Sequence, residues 1–391
     1  MTVSLVDLGV LPDRMEPVVR RCFSDELERA YRYVDRLCLN LCLDLARDCR
    51  LLGPANEPVE QLIERVGVAP RAVYLLGAVL DILREEDVAR QTRHGWEGRG
   101  HYLSDASTEL LQAAEAACPA ATTVFRLIER CRQQATGFLT GRTSGFQAIF
   151  PRGEIEPWER LHSQDSVMSI YADLVVPALE AIIARRMRIL EVGAGVGAVL
   201  QRCAPSLQQS GIEEYWFTDI SRFFVQRAQR TYAGVSWLRF ADVDIDMPLQ
   251  SQGLPAGSFD VVIGVNVLHA AKRLRASLRA MHDMLKPDGY LILAEGSPPD
   301  RLRRWRLDVV FAFLRSWWDV MIEPMRPRPG FLMPSEWEPV LRTCNFDPVC
   351  LLPGEEWFRG PCRGGVIVAR KQASSSVLWR HPDTGEVTWP I

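Results

Sequence analysis

Between residues 188 and 295, short apolar runs recur with helix-length stretches between them. The runs are Arg188–Val192, Glu214–Thr218, Val235–Phe240, Phe259–Val265 and Tyr290–Glu295. Apolar segments of strand length, alternating with helical ones, predict a doubly wound, Rossmann-like α/β sheet of parallel strands. The chain ahead of them has a different rhythm. Leu37, Leu41 and Leu45 repeat every four residues within a predicted helix from Glu16 to Cys49. Gly53 to Pro58 breaks it. A short helix over Val59–Val66 and an apolar helix over Arg71–Leu83 follow, and Gly95 to Leu103 reads as a hairpin. Helix, turn, helix and hairpin make a small winged-helix-like unit. Further helix is predicted from Ser104 to Thr140, and from Trp158 to Ala184 leading into the first strand. The expected organisation is a helical N-terminal lid, substrate or dimerisation domain over 1–150, the sheet domain over 151–371, and a tail over 372–391. In the tail, Val377 to Pro390 reads as a hairpin across Pro382-Asp383-Thr384-Gly385.

The first strand runs into Glu191-Val192-Gly193-Ala194-Gly195-Val196-Gly197. Glycines remove Cβ atoms where the backbone bends sharply, so a ligand can lie against the chain. A Gly-rich turn alone is shared by many folds. Here the spacing is G-x-G-x-G, not the G-x-G-x-x-G of dinucleotide sites, and an acid stands two residues before the first glycine. A carboxylate suits an ammonium better than a phosphate. That points to S-adenosylmethionine (SAM) held by Glu191, Gly193, Gly195 and Gly197. The second strand ends at Asp219, whose carboxylate suits ribose hydroxyls; the alternative is a cap on the helix from Ser221. Asp242, Asp244 and Asp246 alternate after the third strand. A hard-cation site is conceivable, but the simpler reading gives Asp242 the adenine amino group and leaves the others solvated. His269 follows the fourth strand, where an acceptor would face the cofactor; the alternative is a histidine that lines the pocket. Glu295 ends the fifth strand. It is placed to bond one imidazole nitrogen, which fixes the tautomer and raises the basicity of the other.

Composition narrows the partners. The chain has 391 residues, 47% of them hydrophobic, and a net charge of −3. That is no electrostatic grip for nucleic acid. The recognition-type helix is apolar, so the N-terminal unit is expected to pack rather than read DNA. No apolar run approaches the roughly 20 residues of a membrane span, and no secretory signal is expected at Met1 to Asp7. Cys38, Cys42 and Cys49 fall on one face of a Leu-rich helix without zinc-like spacing. They read as reduced core residues in a cytoplasmic protein, and no metal is expected.

The motifs now on the page resemble the C-methyltransferase domains of polyketide synthases, a branch of the class I SAM-dependent methyltransferases. The resemblance rests on I-L-E-V-G-A-G-V-G at 189–197, Y-W-F-T-D-I-S at 215–221, V-V-I-G-V-N-V-L-H-A at 261–270 and L-K-P-D-G-Y-L-I-L-A-E at 285–295. It continues through L-D-V-V-F-A-F-L-R-S-W-W-D at 307–319 and the segment Arg326 to Met333, covering roughly residues 20 to 370. It implies methyl transfer from SAM to the α-carbon of a β-ketoacyl thioester, with His269 as base, Glu295 as its partner and Asn266 among the cofactor residues. It also implies an acyl acceptor that is a small molecule or tethered to a carrier protein, with a homodimer or a biosynthetic complex possible. No other synthase domain accompanies it, so a free-standing enzyme acting in trans is expected. The chain departs from the family in having His162 where a lid tyrosine is expected, and Val196 in the glycine turn. A drift to an oxygen or nitrogen acceptor on a natural-product metabolite is the alternative, as is an inactive SAM-binding scaffold.

Overall fold

The computed structural model describes residues 11–53, 56–100, 105, 107–300, 303–352, 363–372, 379–380 and 387–388. Its centre is a sheet of seven strands. Outside it, β1 (Ala89–Thr92) and β2 (Gly95–Gly98) pair with each other. The sheet contains β3 (Arg188–Val192), β4 (Glu214–Asp219), β5 (Leu238–Asp242), β6 (Phe259–Val265), β7 (Leu285–Gly296), β8 (Phe346–Leu352) and β9 (Gly364–Lys371). Their order is β5-β4-β3-β6-β7-β9-β8. The strands from β3 to β7 are parallel; β9 runs antiparallel to β7, and β8 to β9. Ile189, Leu190 and Val192 of β3 and Val261, Val262 and Ile263 of β6 are fully buried. That is why both strands read as continuous apolar runs rather than alternating ones. The order reverses between β3 and β6. The crevice at their carboxyl ends is where an open α/β sheet binds its ligand.

The expected doubly wound sheet is present, and β3 and β6 have the expected limits. β5 starts three residues late, because Val235 to Leu238 turns first, with the Leu238 N–H on the Val235 carbonyl. β7 starts at Leu285, which pairs with Phe259 before the register shifts. The sequence reading had no counterpart for β8 and β9. The run Gly365-Val366-Ile367-Val368-Ala369 was the available signal: a buried strand of that length is apolar throughout.

The helical half divides more finely than its periodicity suggests. The helix expected over 16–49 is two, Leu11–Cys22 and Asp25–Asp48, the second capped by Ser24, whose Oγ accepts the Leu27 N–H. Pro119 has no N–H to continue a helix, and it divides Ser107–Ala117 from Thr122–Leu139. The helix expected over 158–184 is split into Glu156–Ser163 and Ile170–Ile182. Buried Asp165 sits in the gap and accepts the N–H groups of Val124 and Val167, both at 3.0 Å. The hairpin expected over 95–103 turns earlier, at Arg93-His94, with Gly95 opening its second strand against the Glu57 backbone. Residues 101–104 lie outside the described residues. The apolar helix runs over Val73–Glu85 and is buried in the core through Leu75, Leu76, Val79, Leu80, Ile82 and Leu83, as its composition requires. In the tail, Trp379–Arg380 pairs with Val387–Thr388. Among the described residues no helix is long and apolar enough to cross a membrane.

One buried side chain fixes the segment after β6. Arg326 is fully buried. Its guanidinium donates to the carbonyls of Ala271 (2.6 Å), Lys272 (2.8 Å) and Met321 (2.9 Å). Arg326→Met keeps volume but strips these acceptors of their donor. The expected loss is roughly 2–4 kcal/mol, read as a lower denaturation midpoint at unchanged m-value. A midpoint equal to wild type would show that the fork contributes nothing.

Candidate active site

The turn after β3 is built from positive-φ glycines, Gly193 (61°), Gly195 (53°) and Gly197 (78°). A Cβ on Gly193 would stand 2.4 Å from Val267 Cγ2. A Cβ on Gly195 would meet nothing closer than 3.9 Å, so that glycine faces open space. The helix Ala198–Ser210 starts directly after the turn. The turn is tied to β4 by Asp219, whose Oδ2 accepts the Gly195 N–H at 2.8 Å. Asp219 Oδ1 accepts the Ser221 N–H at 2.7 Å, a bond to the residue ahead of the helix Arg222–Thr231 and not to that helix's first turn. The carboxylate still lines the cavity, and each oxygen retains acceptor capacity beyond its one backbone bond.

Two cavities, of about 250 and 390 Å³, meet over this turn and share Gly193, Ile220, Val267 and Ala270. Glu191 lines the smaller one and is only 2% exposed. Its Oε2 accepts the Tyr215 hydroxyl at 2.6 Å. Among the described residues no cationic side chain pairs with it, and burial pushes its carboxyl up to about 8. A buried acid short of a cation, beside a glycine facing open space, fits the amino-acid end of SAM. Asn266, held at φ 47° with its side-chain oxygen accepting the Gly296 N–H, lines the same cavity. Asp242 does not: it lies exposed at the end of β5, 3.8 Å from the Arg222 guanidinium. Val243, Asp244 and Asp246 line the larger cavity instead.

His269 and Glu295 come together. The imidazole Nδ1 lies 2.8 Å from Glu295 Oε2. Glu295 Oε1 accepts the N–H groups of Val267 (3.0 Å) and Leu268 (2.7 Å), and the side chain is fully buried. The carboxylate is therefore fixed at both oxygens. An acceptor at Oε2 puts the proton on Nδ1 and leaves Nε2 as the basic nitrogen. The ring packs against Trp317 and Phe331, with centroids 4.9 and 4.6 Å away. Its neighbours Val267 and Ala270 line both cavities, whereas His269 itself lines neither.

The rest of the site was only partly legible in the sequence: His162 stood out as the residue in place of an expected lid tyrosine, but its cavity partners did not. Trp158 and His162, one helical turn apart on Glu156–Ser163, form a wall of the smaller cavity. Their i, i+4 spacing was the available signal. Nothing in the sequence singles out Tyr215 as the partner of Glu191 across adjacent strands. The cysteines are core residues: Cys38 and Cys42 are fully buried, and burial pushes the Cys42 thiol up to about 12.

Several known proteins resemble this chain. Residues 190–291 match a methyltransferase domain family. Polyketide synthase ThaQ of Burkholderia thailandensis (strain ATCC 700388 / DSM 13276 / CCUG 48851 / CIP 106301 / E264) is 30% identical over 292 residues, 69% of this chain and 14% of that protein. The chain spans about a sixth or less of the length of the first curated relatives it matches. The CurJ carbon methyltransferase structure superposes with a TM-score of 0.83 at 25% identity, over 94% of this chain and 98% of that one. The trans-methyltransferase CalH, solved with SAH, shares the fold at a TM-score of 0.65 and 20% identity, over 89% and 93% of the two chains. The chain carries a SAM-dependent methyltransferase domain and is similar along most of its length to the carbon-methyltransferase domains of polyketide synthases.

Proposed function

We propose that this methyltransferase acts on the α-carbon of a β-ketoacyl thioester, free or on a carrier protein, with His269 as the base and Glu295 as the residue that orients it. The observation that carries the proposal is the 2.8 Å contact between His269 Nδ1 and a carboxylate whose other oxygen is already committed to two backbone N–H groups. An α-carbon flanked by two carbonyls is acidic enough for an oriented imidazole to deprotonate near neutral pH. The likeness to a carbon methyltransferase along nearly the whole chain supports the same choice of atom.

SAM, when bound, supplies an electrophilic methyl group on a sulfonium sulfur. The chain's own residues hold and orient. We assign the SAM ammonium to Glu191 and the ribose hydroxyls to the remaining acceptor capacity of Asp219. Gly193, Gly195 and Gly197 give close backbone approach, and Asn266 completes that wall. The adenine amino group is assigned to Asp244, which faces the cavity, in place of Asp242, which does not. His269 takes the α-proton at Nε2, and the buried Glu295 stabilises the imidazolium that results.

The test incubates a β-ketoacyl thioester with the enzyme and methyl-deuterated SAM and locates the label by tandem mass spectrometry. Label on the α-carbon is expected; label on oxygen or nitrogen overturns the carbon reading. His269→Ala should lower turnover by about 10²–10⁴-fold and leave the SAM Kd within about twofold. Near-wild-type turnover would remove His269 from the proton transfer.

Glu191 gives an independent pH test. Its folded carboxyl titrates near 8, against an ordinary value of 4.5. The folded protein therefore keeps a proton that the unfolded chain has released. That contribution to stability is complete below about pH 4.5 and is lost as pH rises through about 8. The melting temperature of wild type should fall across this window relative to Glu191→Gln, and saturating SAM should flatten the fall. Parallel curves for the two proteins would refute the assignment.

A further inference from the structure

An imidazole that the proposed function does not use lines the smaller cavity. His162 stands in the last turn of the helix Glu156–Ser163 and lines the same cavity as Met168, Ala172, Glu191, Asp219 and Asn266. Its Nε2 is inaccessible to solvent and has no hydrogen-bond partner. Buried polar atoms are almost always paired, so an unpaired one on a side chain that lines a ligand cavity calls for a partner. The ring is not free to turn away. It packs on Trp158 at 4.5 Å, and Trp158 is held by Phe150 at 5.3 Å and Phe311 at 6.4 Å.

The charge state limits what the missing partner can be. Burial, and then the charge His269 carries when protonated, push His162 down to about 4. Near neutral pH it is a neutral imidazole beside the proposed base. It cannot serve as a second cation there, and two neutral imidazoles can divide the work: one takes a proton and the other donates a hydrogen bond.

We propose that His162 is the electrophilic partner of His269, donating its Nε2 hydrogen to the carbonyl oxygen of the acceptor as that oxygen gains charge. This rests on the reading of the chain as a carbon methyltransferase. In the step, the α-carbon–hydrogen bond breaks and its proton moves to His269 Nε2. The electron pair left behind forms the carbon–carbon double bond of an enolate. The carbonyl π pair moves onto oxygen, where the His162 N–H meets it. A neutral donor placed in advance at a developing oxyanion is worth most where water is excluded. The SAM carboxylate is the other oxygen source with the same chemistry, and the test separates the two.

The experiment follows α-hydrogen exchange of acetoacetyl N-acetylcysteamine thioester in D2O without SAM, corrected for the buffer rate, and measures SAM binding by calorimetry on the same proteins. Wild type should exchange faster than buffer. If it does not, while binding SAM normally, the carbon reading fails and this proposal with it. With wild type active, His162→Leu should lower enzyme-catalysed exchange about 100-fold and keep the SAM Kd within about twofold. His162→Gln, which keeps an N–H donor, should recover a tenth or more of the wild-type rate. His162→Leu also removes the unpaired buried atom, so its melting temperature should equal or exceed that of wild type. Exchange unchanged in His162→Leu, or a weakened SAM Kd with normal exchange, overturns the proposal. If His162→Leu does not fold, His162→Gln decides: exchange no better than buffer with SAM bound normally also overturns it.

Discussion

The Glu295 carboxylate is the point through which the rest of the site is held. It stands one residue before the end of β7 with no solvent around it, and its stability depends on three hydrogen bonds from the loop after β6 and from His269. An ionised acid in such a place is tolerated only when its oxygens are fully paired. The surroundings enforce that. β9 pairs Gly365 opposite Glu295, and a Cβ on the adjacent Gly364 would stand 2.5 Å from Tyr171 and 2.7 Å from the Glu295 carbonyl. The helix Ile170–Ile182 and β9 therefore close down on the strand end without side chains between. The same closure that excludes water makes the hydrogen bonds to Glu295 obligatory, and they dictate where His269 stands.

A second carboxylate, Asp219, does for the glycine turn what Glu295 does for the base. Both stand at the carboxyl end of a parallel strand, and both accept backbone N–H groups from a neighbouring loop. The two loops also touch: Val267 occupies the space a side chain on Gly193 would need. A substitution at Gly193 would thus displace the segment that carries His269 as well as the turn. The cofactor wall and the base are two ends of one packed contact, which explains why they sit on adjacent strands at the reversal of the sheet.

What the sequence made legible follows from how local each signal is. β3 and β6 were readable to the residue because strands buried on both faces need unbroken apolar runs. The glycine turn, Asp219, His269 and Glu295 were readable because strand-end residues have fixed places once the topology is known. The failures involve tertiary partners. Asp242 and Asp244 share one alternation, and which of them faces the cavity depends on the turn at Val243, whose N–H goes to the Asp219 carbonyl. The break at Asp165 depends on the distant Val124 N–H. The hairpin was misplaced because Gly95 resembles a turn residue but is required by the Glu57 backbone packed beside it. Trp317 and Phe331 lie far along the chain from His269, and no periodicity links them to it.

Those aromatic rings also join the helical half to the chemistry. Phe311 stacks on Trp305 and Trp317, and Trp317 packs on the His269 ring. The indole N–H of Trp317 donates to Asp308, which also accepts the Tyr74 hydroxyl at 3.0 Å and the Arg304 guanidinium at 2.5 Å. Tyr74 belongs to the apolar helix Val73–Glu85, and Arg304 reaches Asp81 on the same helix at 2.8 Å. A chain of contacts through Asp308 and Trp317 thus connects that helix to the imidazole. The N-terminal region is thereby part of the wall that holds the base.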